Sequence, residues 1–259
     1  MSALEKIPVV ILAGGLATRL RPLTATVPKS LIRLAGEPFL AHQLRWLQAE
    51  GIREVVVCCG HLGEQIEEFA GDGSRFGISI AYSRDGVRLL GTGGALRRAL
   101  PLLSRRFLVL YGDSWLTEPI EPVWRSFVES GRPALMTVFR NQNRWGASNV
   151  EFLRGAVMRY DKKHPTTAMQ HIDYGLEALD AAVLEKWPGE VFDLSEMWSG
   201  LAREAQLAGH ETAERFHEIG SPAGLRETEA AIAAGRSIAA DGMSRRTAPC
   251  TADGEAVQL

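Results

Sequence analysis

The chain has 259 residues, 46% hydrophobic and 23% charged, with a formal net charge of −2. That length supports a full hydrophobic core in one large domain or two small ones, and the composition is that of an ordinary globular protein. The near-neutral balance excludes a broad electrostatic footprint for nucleic acid or an anionic membrane surface, so any polyanion must be met by a local cluster.

The first apolar run, Ile7 to Ala13, is too short to cross a membrane and breaks into glycines without a cleavage-site pattern, so a cytoplasmic location is expected. Strands are predicted over 7–13, 54–59, 78–83, 107–111 and 134–139. Between them, Leu40, Leu44 and Leu47 recur at helical spacing. Leu96, Leu100 and Leu103 do the same, with Arg97 and Arg98 turned outward. Strands alternating with helices mark an α/β fold with a mainly parallel sheet. The second half reads as antiparallel additions, with strands over 149–152, 156–160 and 171–179. Asp193 is a plausible helix N-cap with Glu196 three residues on, and Leu194, Trp198, Leu201 and Ala205 share a face. Ser221-Pro222 opens the last helix. Beyond Gly235 the periodicity fades and a flexible tail is expected over 236–259. Cys58, Cys59 and Cys250 form neither a disulfide framework nor a CxxC pair, and the first two read as small core residues of a strand.

The strongest signal is the passage from strand to glycine pair in Leu12-Ala13-Gly14-Gly15-Leu16-Ala17-Thr18-Arg19-Leu20-Arg21-Pro22, followed by Pro28-Lys29. Glycines let backbone amides close on an anion, and Arg19 and Lys29 supply the full charges a phosphate chain needs. Neither the G-x-G-x-x-G fingerprint nor the P-loop is present. The segment instead resembles the signature of the sugar-phosphate nucleotidyltransferases, L-A-G-G-x-G-T-R-L-x-P-x-T followed by P-K. Ala17 stands where that family usually has glycine. A methyl group there requires a negative φ or a phosphate approaching from the other side.

Other segments extend the resemblance. Leu108-Val109-Leu110-Tyr111-Gly112-Asp113 is a buried strand ending in a carboxylate, a hard ligand suited to Mg²⁺, and it is similar to the family's metal-binding aspartate. Glu218, before the turn Gly220-Ser221-Pro222, stands where the family tends to place a second metal-binding aspartate. The resemblance assigns Gly91, Thr92 and Gly93 to the nucleobase and ribose, with Leu12, Ala13, Gly14, Gly15 and Thr18 completing the nucleotide site. It assigns Asp161 and Lys162 to the sugar and its phosphate, and Gly146 and Gly175 to the sugar ring. The scattered histidines show no metal-ligand spacing.

The resemblance implies a Rossmann-like domain over 1–235, α/β with a mixed, mainly parallel central sheet and helices on both faces. Its nucleotide-binding part spans 7–140 and its sugar-binding extension 141–235. It also implies a Mg²⁺-dependent transfer from an NTP to a sugar 1-phosphate, in which Arg19, Lys29 and Asp113 are catalytic. No nucleic-acid or membrane partner is expected, and a homo-oligomer is allowed. Gly91-Thr92-Gly93-Gly94-Ala95 and Glu218-Ile219-Gly220-Ser221-Pro222 most resemble the D-glycero-α-D-manno-heptose 1-phosphate guanylyltransferases. Mannose-1-phosphate guanylyltransferases and N-acetylmuramate-1-phosphate uridylyltransferases look similar. A catalytically silent nucleotide-binding relative and an enzyme for a non-sugar acceptor remain open alternatives.

Overall fold

The computed structural model describes residues 3–86 and 88–245. The elements in chain order begin with β1 (Val9–Leu12), the two-residue strands β2 (Arg33–Leu34) and β3 (Glu37–Pro38), α1 (Phe39–Ala49), β4 (Glu54–Cys59), α2 (Gly63–Ala70), β5 (Ser79–Arg84) and α3 (Gly91–Ala99). There follow β6 (Arg106–Tyr111), β7 (Ser114–Trp115), α4 (Ile120–Ser130), β8 (Ala134–Phe139), β9 (Val150–Leu153), β10 (Ala156–Tyr160) and β11 (Ile172–Asp180). The chain continues through α5 (Ala181–Lys186), α6 (Leu194–Arg203), β12 (Leu207–Thr212), β13 (His217–Glu218) and α7 (Pro222–Arg245).

Nine strands form one sheet in the order β5-β4-β1-β6-β11-β8-β12-β10-β9. The first four are parallel, β11 runs antiparallel between β6 and β8, and β12 is parallel to β8. The expected mixed sheet is therefore present, though β12 is a parallel strand among additions expected to be antiparallel. The chain leaves β1 toward β4 and β5, then returns to place β6 on the other side of β1. That reversal opens a crevice beyond the carboxyl ends of β1 and β6, where open α/β sheets bind ligands.

Alternation along the buried strands sorts the core into two layers. Val9 and Ile11 of β1, with Leu108 and Leu110 of β6, face Leu40, Leu44 and Leu47 of α1, Ile66 of α2 and Phe127 of α4. Val10, Phe107 and Val109 face Leu96 of α3, Leu184 of α5 and Trp198 of α6. Strands buried on both faces read as continuous apolar runs, as Val9-Val10-Ile11-Leu12 does.

Several details depart from the sequence reading. Ala205 lies beyond the end of α6 with φ 54°, so it is not part of that helix's apolar face. Arg97 does not simply point outward: its guanidinium lies 5.0 Å from the Phe192 ring centre and donates to the carbonyls of Trp187 and Gly189. Helix α7 runs on past Gly235 to Arg245, consistent with the helix-favouring alanines around it. Residues 246–259, with Cys250, lie outside the described residues.

Candidate active site

At the crevice lies a cavity of about 300 Å³, the scale of a small-molecule site. Leu12, Ala13, Gly14 and Gly15 form one wall, and Tyr111, Gly112 and Asp113 the next. Lys29, Ser30, Asp85, Gly91, Thr92, Ala95 and Asp193 also line it. The fold thus brings Leu12, Ala13, Gly14, Gly15, Lys29, Gly91, Thr92 and Asp113 together.

Lys29 and Asp113 meet directly, with Nζ 2.6 Å from Oδ2. Their side chains are 20% and 30% exposed, so both reach water and the cavity. The turn that carries Asp113 is fixed by backbone. Gly112 N–H donates to the Leu12 carbonyl at 3.1 Å, and Ile219 N–H donates to the Asp113 carbonyl at 3.0 Å. From α1, the Gln43 amide donates to the carbonyls of Tyr111 and Ser114 at 3.1 and 2.9 Å. Beside Lys29, the Ser30 hydroxyl is buried, has no hydrogen-bond partner among the described residues and belongs to a residue that lines the cavity. A buried hydroxyl in that state is suited to an incoming polar ligand.

The glycine-rich passage takes an unexpected path at Ala17, whose φ is 46° and ψ 41°. The backbone there is left-handed, so a negative φ does not explain the alanine. Any phosphate at this loop must approach away from the methyl group. The Ala17 carbonyl accepts from the Thr24 hydroxyl at 2.8 Å, which ties the loop back on itself. Thr18 and Arg19 are exposed in a short turn and do not line the cavity. The Arg19 guanidinium instead lies against Gly220.

The glycines at 91–94 begin α3 instead of preceding it. Gly91 has φ 74°, and a Cβ there would come 2.5 Å from the Phe192 carbonyl oxygen. Gly93 is buried against the Phe192 ring, so it serves packing with the 190–193 segment and not the cavity wall. Asp193 starts α6 without capping it through its side chain. Its carboxylate accepts from the Thr92 hydroxyl at 3.2 Å, and that hydroxyl in turn accepts from Leu194 N–H at 2.8 Å. Thr92 therefore supplies the capping oxygen for a helix of the later half of the chain.

Glu218 pairs with Ser114 across the β7–β13 ribbon, which sets its backbone beside the Asp113 turn. Its carboxylate turns to the start of α7, accepting from Gly220 N–H and from the Ser221 hydroxyl, the latter at 3.0 Å. Asp161 serves its own turn: Oδ1 accepts from Lys163 N–H and His164 N–H, both at 2.9 Å, and these bonds hold its carboxyl below the usual range. Lys162 does not itself line the cavity, but its Nζ lies 5.4 Å from the ring centre of Tyr111, which does. Gly175 has φ 96° at a register shift in β11, and a Cβ would strike the Ser114 hydroxyl oxygen at 2.5 Å. Gly146 is exposed on the loop after β8, with φ 106°, and does not line the cavity.

Sequence reading missed Ser30, Asp85 and Asp193 as cavity residues. Ser30 adjoins the Pro-Lys pair and Asp85 follows β5 at a carboxyl end, so position offered a signal for both. Burial raises the Asp85 carboxyl above its usual range, and Leu90 N–H donates to it at 3.3 Å. Cys58 also lines the cavity, but burial pushes its thiol far up, which removes it as a nucleophile. Among the described residues, no group of three or more His, Cys, Asp or Glu side chains gathers to hold a metal by itself, and no helix is long and apolar enough to cross a membrane.

The mannose-1-phosphate guanylyltransferase catalytic subunit beta of Xenopus tropicalis is 30% identical over 220 residues, covering 82% of this chain and 61% of its own length. The N-acetylmuramate alpha-1-phosphate uridylyltransferase of Neisseria meningitidis is 46% identical over 105 residues, covering 40% of this chain and 46% of its own. The chain thus spans about half to three-fifths of the length of these relatives. Among solved structures, HddC from Yersinia pseudotuberculosis complexed with GMP-PN superposes with a TM-score of 0.70 at 22% identity, covering 85% of this chain and 97% of that one, and it shares the fold. Residues 8–148, which carry the strand, the glycine pair, Lys29 and Asp113, match the nucleotidyl transferase family, and the chain belongs to that family.

Proposed function

We propose that the protein transfers a nucleotidyl group from an NTP to a sugar 1-phosphate, releasing pyrophosphate. The observation that carries this reading is the convergence of the Gly14–Gly15 backbone, Lys29 and Asp113 on one cavity at the sheet's switch point. The nucleophile is a phosphate oxygen already ionised near neutral pH, so no side chain need act as a base. What the protein must supply is alignment and charge neutralisation at the α-phosphate. The Gly14 and Gly15 amides and Arg19 receive the triphosphate, and Lys29 leaves Asp113 to bridge the two reacting phosphates. Lys162 takes the sugar phosphate, while Gly146, Gly175 and Asp161 shape the sugar side.

The donor set suits Mg²⁺, which is held by one or two carboxylates together with substrate phosphates and does not need a cage of protein ligands. Asp113 is the cavity carboxylate beside Lys29, with Glu218 on the adjacent ribbon as its second. The ion, when bound, supplies charge neutralisation on the phosphate oxygens.

GTP is the nucleotide the site chemistry favours. Asp85 and Asp193 present carboxylates to the cavity beyond Thr92. Guanine offers two adjacent donors, its ring N–H and its amino group, whereas uracil and thymine offer one donor between two carbonyls that carboxylates would repel. The sugar proposed is D-glycero-D-manno-heptose, on the resemblance of the 91–95 and 218–222 segments, with mannose next. Pyrophosphate release from a panel of NTPs and sugar 1-phosphates tests this, with Asp85→Asn beside the wild type. GTP should be preferred, and the substitution should erode that preference. Preference for UTP would overturn the base assignment. Nucleotide binding without release from any pair would identify a silent relative.

A further inference from the structure

Glu177 lies in the middle of β11, in register with Val109 of β6 and Met136 of β8, and is 0% exposed. Neither carboxyl oxygen has a hydrogen-bond partner among the described residues. The polar side chain beside it is Asp173, also buried, on the same strand. Each oxygen of the Asp173 carboxylate accepts one hydrogen bond: Oδ1 from Gly175 N–H at 3.1 Å, and Oδ2 from the Tyr160 hydroxyl at 3.3 Å. Lys162 completes the group, with Nζ 3.6 Å from Asp173 Oδ2 and 5.4 and 5.6 Å from the ring centres of Tyr111 and Tyr160.

Two buried carboxyls therefore share one cation, and no donor reaches the inner one. An ionised, unpaired carboxylate in that position would cost several kcal/mol. A neutral acid resolves both problems, because its own O–H donates to the neighbouring carboxylate. We propose that Glu177 is a positioning residue: as a neutral acid it donates to Asp173, leaving one negative charge that holds the Lys162 ammonium over Tyr111 at the edge of the cavity, where it meets the sugar phosphate. The arrangement rests on the reading of Lys162 given above. A second charge at Glu177 would draw Lys162 inward and repel the phosphate. Burial and the nearby Asp173 charge both push the Glu177 carboxyl well above its ordinary range, in keeping with the neutral form. The titratable groups facing it are Asp173, Tyr111, Tyr160 and Lys162, and burial keeps both tyrosines neutral.

The test combines infrared spectroscopy of the substrate-free protein with steady-state kinetics. The wild type should show the carbonyl stretch of a protonated carboxylic acid, lost in Glu177→Gln. Glu177→Leu, which suits the surrounding apolar row, should raise KM for the sugar 1-phosphate about tenfold while leaving KM for the NTP within about twofold. Glu177→Gln, which keeps a donor, should restore the wild-type KM. Raising the pH through ionisation of Glu177 should raise the sugar-phosphate KM of the wild type and not that of Glu177→Gln. An infrared band unchanged in Glu177→Gln, or an unchanged KM in Glu177→Leu, would overturn the proposal. Should Glu177→Leu fail to fold, Asp173→Asn must give the same split in KM. Lys162→Met separates the two readings: if it leaves the sugar-phosphate KM unaltered, the role of Lys162 fails first, whatever the infrared band shows.

Discussion

Asp113→Asn separates a chemical role from a structural one. The substitution keeps the size and hydrogen-bonding shape of the side chain and removes one charge. Its direct partner is Lys29, 2.6 Å away, and the two side chains are 20% and 30% exposed. An ion pair this close to water is worth about 0.2–1 kcal/mol, and Lys29 remains solvated when its partner is neutralised. The backbone bonds that fix the turn, from Gly112, Ile219 and Gln43, do not involve the carboxylate. The expected loss of stability is therefore at most about 1 kcal/mol, or about 2–4 °C in Tm for a chain of this size.

Activity should respond on another scale. If Asp113 holds the metal against the phosphates, its loss removes charge stabilisation realised at the reacting α-phosphate. Losing such a group costs about 3–4 kcal/mol, between a hundredfold and a thousandfold in turnover. Pyrophosphate release at saturating substrates and saturating Mg²⁺, measured beside a thermal melt, reads both quantities from one preparation. Turnover within tenfold of wild type would refute the metal assignment. A fall in Tm of more than about 10 °C would show that the carboxylate serves the fold instead.

Two further substitutions probe the frame around the site. Thr92→Val removes the oxygen that accepts from Leu194 N–H at 2.8 Å and orphans the first turn of α6. Denaturant titration should show a loss of about 1–2 kcal/mol, with a raised KM for the NTP. Ala17→Gly relieves a left-handed alanine worth about 1–2 kcal/mol of strain, offset by about 0.5–1 kcal/mol of added chain entropy. A small rise in the urea midpoint is expected, and a fall would show that the loop prefers the methyl group.

Long apolar runs made the left half of the sheet legible in the sequence. Val9-Val10-Ile11-Leu12 and Phe107-Leu108-Val109-Leu110 are buried on both faces, so their type and mutual adjacency follow from composition alone. The other half of the sheet was harder: β12 contains Gly209, His210 and Glu211, a polar stretch that becomes a strand because β8 and β10 flank it. That Gly14, Gly15, Lys29 and Asp113 would come together was also readable, because they belong to local motifs that follow strands at one end of the sheet. Asp193 was not, since its approach to the cavity depends on α3 packing against the 190–193 segment. The glycines of 91–94 were visible, but their reason was not. Gly91 and Gly93 make room for Phe192, a residue about a hundred positions away, and no local pattern announces such a contact.

That same packing explains how a site built by positioning can hold its geometry across two halves of the chain. Thr92 touches the cavity and caps α6, so the cavity lining and the later helices share one hydroxyl. On the other side, β6 pairs with β11 and the Asp113 turn pairs with the segment containing Glu218. Tyr111, between these joints, lines the cavity and also lies against Lys162. A displacement of α6 or β11 must therefore move groups at the cavity, because no loop intervenes to absorb it. In-line phosphoryl chemistry loses rate steeply with sub-ångström errors in alignment. Contacts distant from Asp113, at Thr92 and Glu177, are accordingly the places where substitutions should alter substrate KM values while leaving the fold intact.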